Sequence, residues 1–517
     1  PIFCNDPHLS LGLPSIWFEV HIHTPEFNAY GVSFPGFPGI MIGFNEHIAW
    51  GETNVGQDVE DMFAIQWTNP EKTKYMLDGK EEEVSLRIEH VKIKGGKTVT
   101  DTVKYTYFGP VYHTSDDGRQ DLAMRWLCHD QQDVAEYNVF IDAMRCQSYE
   151  DYKKATATYS SPAQNFCFAS KSGDIALRVN GNFPAKYDQD GKFVEYGNSK
   201  ANDWQAWIPR DQNPQILNPK RGFISSANQV SADKTYPYYF TGKFERYRNR
   251  SVNDKLTDAN NITVDDMKKM QHDAFSYKAA DFVHVLKSMS LEGELRSTQK
   301  DILQLLTTWD YTYKASSLSP TLFDIFYKKL EENTWDELKP LRDEMDITLP
   351  EPWRLLEMIQ TEPTNKYFDI VSTPNKENAR EVVLKSLIAA IQTFEDRKAE
   401  GTDNSWGAYK PLHIYHLTRI PAFSKMDIAA DGCSDAINAT GYSFGPSWRM
   451  IISLEDKVQG YAVYPGGQSG NPASKYYSNM VDAWTKGEYY PLKLSASLDD
   501  IRQVSTQAIS MHPKSSQ

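Results

Sequence analysis

Apolar and polar residues alternate with a period of two through much of the first 240 positions, and the pattern lengthens toward helical spacing after Arg250. In Trp17-Phe18-Glu19-Val20-His21-Ile22-His23, within residues 16–32, side chains alternate as they do on a half-buried strand. Residues 39–48 and 62–67 continue in the same way. Residues 84–107 predict a hairpin, because two alternating runs flank Gly95-Gly96, and Phe108-Gly109-Pro110 breaks the pattern before it resumes. Short helices are predicted at 135–144 and 149–156, followed by strands at 165–169 and 175–179 joined through Ser172-Gly173-Asp174.

Beyond residue 250 the helical signals are local and chemical. Thr263 followed by Val264-Asp265-Asp266 is an N-cap with acids in the first turn, where they favour the exposed amides. Further helices are predicted at 298–308, 320–332, 352–359 and 378–397, the last with an apolar stripe of Val382, Leu384, Leu387, Ile388, Ile391 and Phe394. Ser497 with Asp500 starts a final helix. The expected organisation is a β-rich body from 1–252 and 402–517, interrupted by a largely helical insertion at 253–401.

Composition narrows the class. Forty per cent hydrophobic and 24% charged residues describe a globular chain, and 517 residues exceed one ordinary core. A net charge of −14 argues against a nucleic-acid or anionic-membrane surface, and no apolar run is long enough to span a bilayer. The five cysteines, Cys4, Cys128, Cys146, Cys167 and Cys433, include no CxxC, so they read as buried thiols with one pairing open. His21 and His23 share a strand face but lack a further ligand at metal-like spacing, which favours a structural role.

Polar strings punctuate this pattern where apolar strands end: Asn5-Asp6-Pro7-His8-Leu9, Pro35-Gly36-Phe37-Pro38-Gly39, Ile42-Gly43-Phe44-Asn45 running on to Ile48-Ala49-Trp50-Gly51, and Thr53-Asn54 leading to Asp58-Val59-Glu60-Asp61. Pro162-Ala163-Gln164-Asn165-Phe166, Gly222-Phe223-Ile224-Ser225-Ser226-Ala227-Asn228, Gly445-Pro446-Ser447-Trp448-Arg449 and Pro465-Gly466-Gly467-Gln468-Ser469-Gly470-Asn471-Pro472 follow. In this order the set resembles the catalytic β-chain of the penicillin acylase (penicillin amidase) family of N-terminal nucleophile hydrolases, over nearly the whole chain.

The resemblance implies an α+β fold, a four-layer αββα sandwich, and an amidohydrolase that cleaves the acyl-amide bond of an N-acylated small molecule such as a β-lactam side chain or an N-acyl homoserine lactone. It implies an N-terminal serine freed by self-cleavage upstream of Pro1, an α-chain from the same precursor, and a periplasmic or extracellular location. Such a residue supplies both hydroxyl and base, since an α-amine titrates near neutral pH. The resemblance places the oxyanion donors on the backbone N–H of Asn54 and the side-chain amide of Asn228, puts His8 near the nucleophile's amine and Arg248 near the active site, with Arg250 competing for the Arg248 role. Leu9, Ile42, Glu52, Phe140 and Gln164 align with acyl-pocket positions. Asp58, Glu60 and Asp61 match a structural calcium segment, with Asp188-Gln189-Asp190-Gly191 near a second contributing loop and no match for a third carboxylate between Asn228 and Arg248. The contrasting expectation is a non-catalytic relic of the fold that binds or scaffolds without a nucleophile.

Overall fold

The computed structural model describes residues 1–114, 120–130, 136–188, 190–344 and 347–511. The chain divides into two compact units, one comprising His21–Gly31 and Phe37–Glu245, the other Ile2–Val20, Val32–Gly36 and Arg246 onward. The division therefore falls near residue 245, and the helical segment expected at 253–401 shares a unit with the strands that follow it.

The first unit is built on two sheets. The seven-stranded sheet, most of whose residues belong to this unit, runs Gln215–Leu217, Ile175–Asn180, Gln164–Ser170, Ile48–Asn54, Ile42–Asn45, Asn28–Ser33 and Phe18–His23 in spatial order. The Gly31 and Gly43 positions let adjacent strands close up, since a Cβ on Gly43 would lie 2.5 Å from the Tyr30 carbonyl oxygen. Asn45 locks the next turn: its Oδ1 accepts from the His47 and Ile48 amides at 2.8 Å, and its Nδ2 donates to the Cys146 carbonyl at 2.9 Å. The six-stranded sheet begins with the expected hairpin, Ser85–Lys92 against Thr98–Thr106, turning where Gly95 adopts φ +74°.

Both short helices of this unit form at Asn138–Ala143 and Tyr149–Ala155, while residue 135, included in the first prediction, lies outside the described residues. The second starts where Ser148 and Asp151 complete a capping box, each satisfying an amide that the first turn leaves without a partner.

In the second unit, Ile2–Asn5, Arg449–Ser453, Gln459–Val463 and Tyr490–Leu492 form a four-stranded antiparallel sheet. Capping boxes at Thr263 and Asn378 start the helices Val264–Gln271 and Ala379–Ala399 as their sequences predict. The long helix packs on Ser319–Thr334, burying Val382, Val383, Leu387, Ala390, Ile391 and Phe394 against Leu322, Phe323, Phe326 and Leu330. Leu384 and Ile388 of the expected stripe lie at its margin, half-buried. Helices Tyr247–Asp258 and Tyr277–Ser288 also form here without a sequence prediction, the first because its polar run shows no apolar face. All five cysteines are free thiols, and Cys128 is exposed rather than buried. Among the described residues no helix is long and apolar enough to cross a membrane.

Candidate active site

Strand Ile48–Asn54 ends the central ladder of the first unit, paired with Gln164–Ser170 in the register Gln164↔Asn54, Asn165↔Thr53 and Phe166↔Glu52. Residues directly opposite share a face of the sheet, so Asn54, Glu52, Gln164 and Phe166 point one way and Thr53 and Asn165 the other. On the second face, buried Asn165 donates through Nδ2 to Thr53 Oγ1 at 3.1 Å and the Asn54 carbonyl at 3.4 Å, while its Oδ1 accepts from Ser231 Oγ at 2.8 Å. Thr53 and Ser226 hydroxyls bond directly, and Asn165 Nδ2 also reaches Ser226 Oγ at 3.4 Å. This network ties the strand end to the segment carrying Asn228.

Asn228 itself adopts φ +64°, a left-handed conformation that asparagine tolerates better than most side chains. Its Nδ2 donates to the Asn54 carbonyl at 3.0 Å, and its own carbonyl accepts from the Glu245 amide at 2.9 Å. The fold thus brings together two asparagines 174 positions apart. Asn54 is exposed and Asn228 half-buried, so the pair faces solvent-accessible space.

The aromatic residues give the Asn54 face an apolar character, and Glu52 is buried on it. Phe140, buried, packs on Phe166 and Tyr159 with ring centroids 6.1 and 6.0 Å apart, and edge-on against Phe37 at 5.5 Å. Burial pushes the Glu52 carboxyl up to about 8, and Tyr152, Tyr159 and Cys167 are close enough for a charge on it to disfavour theirs. Near neutral pH Glu52 is therefore chiefly an uncharged carboxylic acid. The Gly43↔Trp50 register, carried one step, sets buried Ile42 across from Gly51 and so on the opposite face.

His8, Leu9 and Arg248 lie in the second unit. His8 and Leu9 form the short strand His8–Ser10 paired with Phe444–Pro446, Leu9 opposite Gly445. His8 stays neutral: burial foremost, then the Arg248 and Arg449 charges, hold it well below the usual imidazole value, and its shielded Nε2 has no hydrogen-bond partner among the described residues. Asp6 beside it is raised to about 7 by burial, with Arg449 and Arg248 opposing. Arg449 is buried, its guanidinium donating to Asn438 Oδ1 at 2.8 Å and the Trp484 carbonyl at 3.0 Å. The two candidate arginines separate clearly. Arg250 is spent on an exposed pair with Asp281 at 2.8 Å, stacked over Tyr277, whereas Arg248 acts on Asp6 and His8.

The residues at 58–61 do not fit calcium. Lys186 Nζ stands between the two carboxylates, 2.9 Å from Asp58 Oδ2 and 2.8 Å from Asp61 Oδ1, and Glu60 is exposed. A hard divalent ion takes six to eight oxygens. Among the described residues no cluster of three or more His, Cys, Asp or Glu could hold a metal ion.

The penicillin amidase family model matches residues 1–498. This chain belongs to that family. Its relatives include the acyl-homoserine lactone acylase QuiP of Pseudomonas syringae pv. tomato, 25% identical over 95% of this chain and 64% of that protein. The penicillin acylase 2 proenzyme of a Pseudomonas species is 22% identical over 96% of this chain and 65% of its own length. This family member thus spans slightly less than two thirds of these relatives. The structure of a thermostable penicillin G acylase from Alcaligenes faecalis superposes with a TM-score of 0.77, covering 100% of this chain and 97% of that one at 16% identity. The α+β N-terminal nucleophile hydrolase fold expected from the ordered motifs is therefore present.

Sequence reasoning missed Asn165, Thr53, Ser226 and Lys186. Asn165 and Ser226 lie inside the strings that carried the resemblance, so position in a motif was the available signal; Lys186 had none.

Proposed function

We propose that this chain carries the oxyanion-stabilising machinery of an amidohydrolase acting on an N-acylated small molecule. One observation carries the reading: the Asn228 side-chain amide is anchored 3.0 Å from the Asn54 carbonyl by a left-handed backbone and a buried polar network. A side-chain amide is a neutral donor with two hydrogens and no proton to lose, which suits it to a developing alkoxide. In this mechanism a serine preceding Pro1 attacks the amide carbonyl, with its own α-amine taking the hydroxyl proton. The backbone N–H of Asn54 and the second amide hydrogen of Asn228 hold the tetrahedral oxyanion, the amine departs with the proton, and water releases the acid.

His8 is assigned to holding and tuning the nucleophile's amine, and Arg248 to the active site; a neutral imidazole supports the first, because it adds no positive charge that would oppose protonation of the amine when that amine acts as the base. Glu52, Phe140, Gln164 and Leu9 are assigned to acyl selection; Ile42, on the other face of the sheet, is not. The relatives' names favour N-acyl homoserine lactones and acylated β-lactams as substrates, and the word proenzyme in one of them favours self-processing from a precursor that also supplies an α-chain. A periplasmic or extracellular site of action follows the family resemblance.

The test is Asn228→Ala in the whole processed protein, assayed on N-acyl homoserine lactones and penicillin G. Loss of one oxyanion donor should cost about 2.7–4 kcal/mol in the barrier, on the order of 10²–10³ in kcat, with KM little changed. Unchanged kcat would refute the assignment, and a wild-type protein inactive on every N-acyl substrate would favour the non-catalytic relic.

A further inference from the structure

We infer that Lys186 is a built-in cation, its ammonium taking the place between Asp58 and Asp61 that a metal ion would otherwise be needed to fill. The side chain reaches this position from a segment 125 residues beyond Asp61 and is only 3% exposed, with Asp61 at 4% and Asp58 at 20%. Two carboxylates this close, taken out of water, repel one another, and a single ammonium bonded to both offsets that repulsion. The remaining Asp61 oxygen is also engaged: Trp204 Nε1 donates to Oδ2 at 2.5 Å. Trp204 lies under the Arg125 guanidinium at 4.2 Å, and Arg125 bridges Asp203 at 3.1 Å and Asp130 at 2.7 Å.

The opposite wall is made by backbone. Gly191 adopts φ +80°, and a Cβ there would lie 2.2 Å from Asp58 Oδ2, 2.6 Å from Lys186 Nζ and 2.8 Å from Asp61 Oδ1. Absence of a side chain at 191 leaves room for the ammonium and both oxygens. The cavity is thus closed around an ammonium by its two carboxylates, an indole and a glycine. The consequence is that this part of the first unit holds together without a divalent ion, and that shortening Lys186 opens a two-carboxylate pocket with an affinity for one. The inference does not depend on the reaction proposed above.

The experiment compares wild type, Lys186→Ala and Lys186→Met, using the whole processed protein. Calcium content is measured after dialysis, and thermal unfolding is followed in EDTA and in calcium chloride. Wild type should carry substoichiometric calcium and unfold at the same temperature in both buffers. Lys186→Ala should unfold on the order of 5–10 °C lower in EDTA and recover part of that loss in millimolar calcium. Lys186→Met, which keeps the stem but not the charge, should fall similarly in EDTA and recover less, because its methyl end blocks the pocket. Stoichiometric calcium in dialysed wild type, or a fall in its unfolding temperature with EDTA, would overturn the inference. So would a Lys186→Ala protein as stable as wild type. Should both variants fail to fold, the two wild-type measurements still decide the question.

Discussion

Replacing Glu52 by Gln should stabilise the protein at neutral pH and leave it nearly unchanged in acid. Burial raises this carboxyl from its ordinary 4.5 to about 8. The unfolded chain releases the proton as pH rises through 4.5, while the folded chain keeps it until about 8. Folding must therefore recover a proton between those values, and stability falls with rising pH across that window and levels off above it. At pH 7 the gap above 4.5 is 2.5 pH units, which at about 1.4 kcal/mol each comes to about 3 kcal/mol. Gln has nearly the same shape and no proton to recover. Urea unfolding followed by tryptophan fluorescence, run in parallel on both proteins from pH 4.5 to 8.5, should show the variant gaining steadily and reaching an advantage of about 3 kcal/mol near pH 7. An advantage independent of pH, or a variant that loses stability throughout, would show that Glu52 is ionised in the folded protein and that the pocket supplies it with a compensating charge.

Other substitutions test the scaffold. Asn165→Ala leaves Thr53, Ser226 and Ser231 short of partners and should lower stability by about 1–3 kcal/mol in urea unfolding, with a fall in kcat through displacement of Asn54 and Asn228. Leu387→Ala, at a fully buried position between Ala379–Ala399 and Ser319–Thr334, should cost about 2–5 kcal/mol in the same assay. Asn378→Ala removes the acceptor for the Arg380 and Glu381 amides and should cost about 1 kcal/mol.

What the chain determined by itself was chiefly local. Caps at Ser148, Thr263, Asn378 and Ser497 start helices because a side-chain oxygen within three residues meets an otherwise unpaired amide. The hairpin at Gly95 and the ladder of 165–169 with 175–179 follow from alternation and turn chemistry, and the order of the polar strings was enough to point to the family. Only the tertiary structure decided matters that depend on residues distant in sequence. It separated Arg248 from Arg250, which the string Tyr247-Arg248-Asn249-Arg250 could not do, because Asp281 pairs with the second at the surface while the first faces Asp6 and His8. It placed the helical segment in one unit with the C-terminal strands, since a buried helix face is shared by whatever packs against it. It set Lys186 against the acidic turn and left Glu52 among aromatic rings. Spacing along the chain carries which atoms a backbone repeat can bring together; the charge a carboxyl bears depends on its surroundings in three dimensions, and those come from strands and loops more than a hundred residues away.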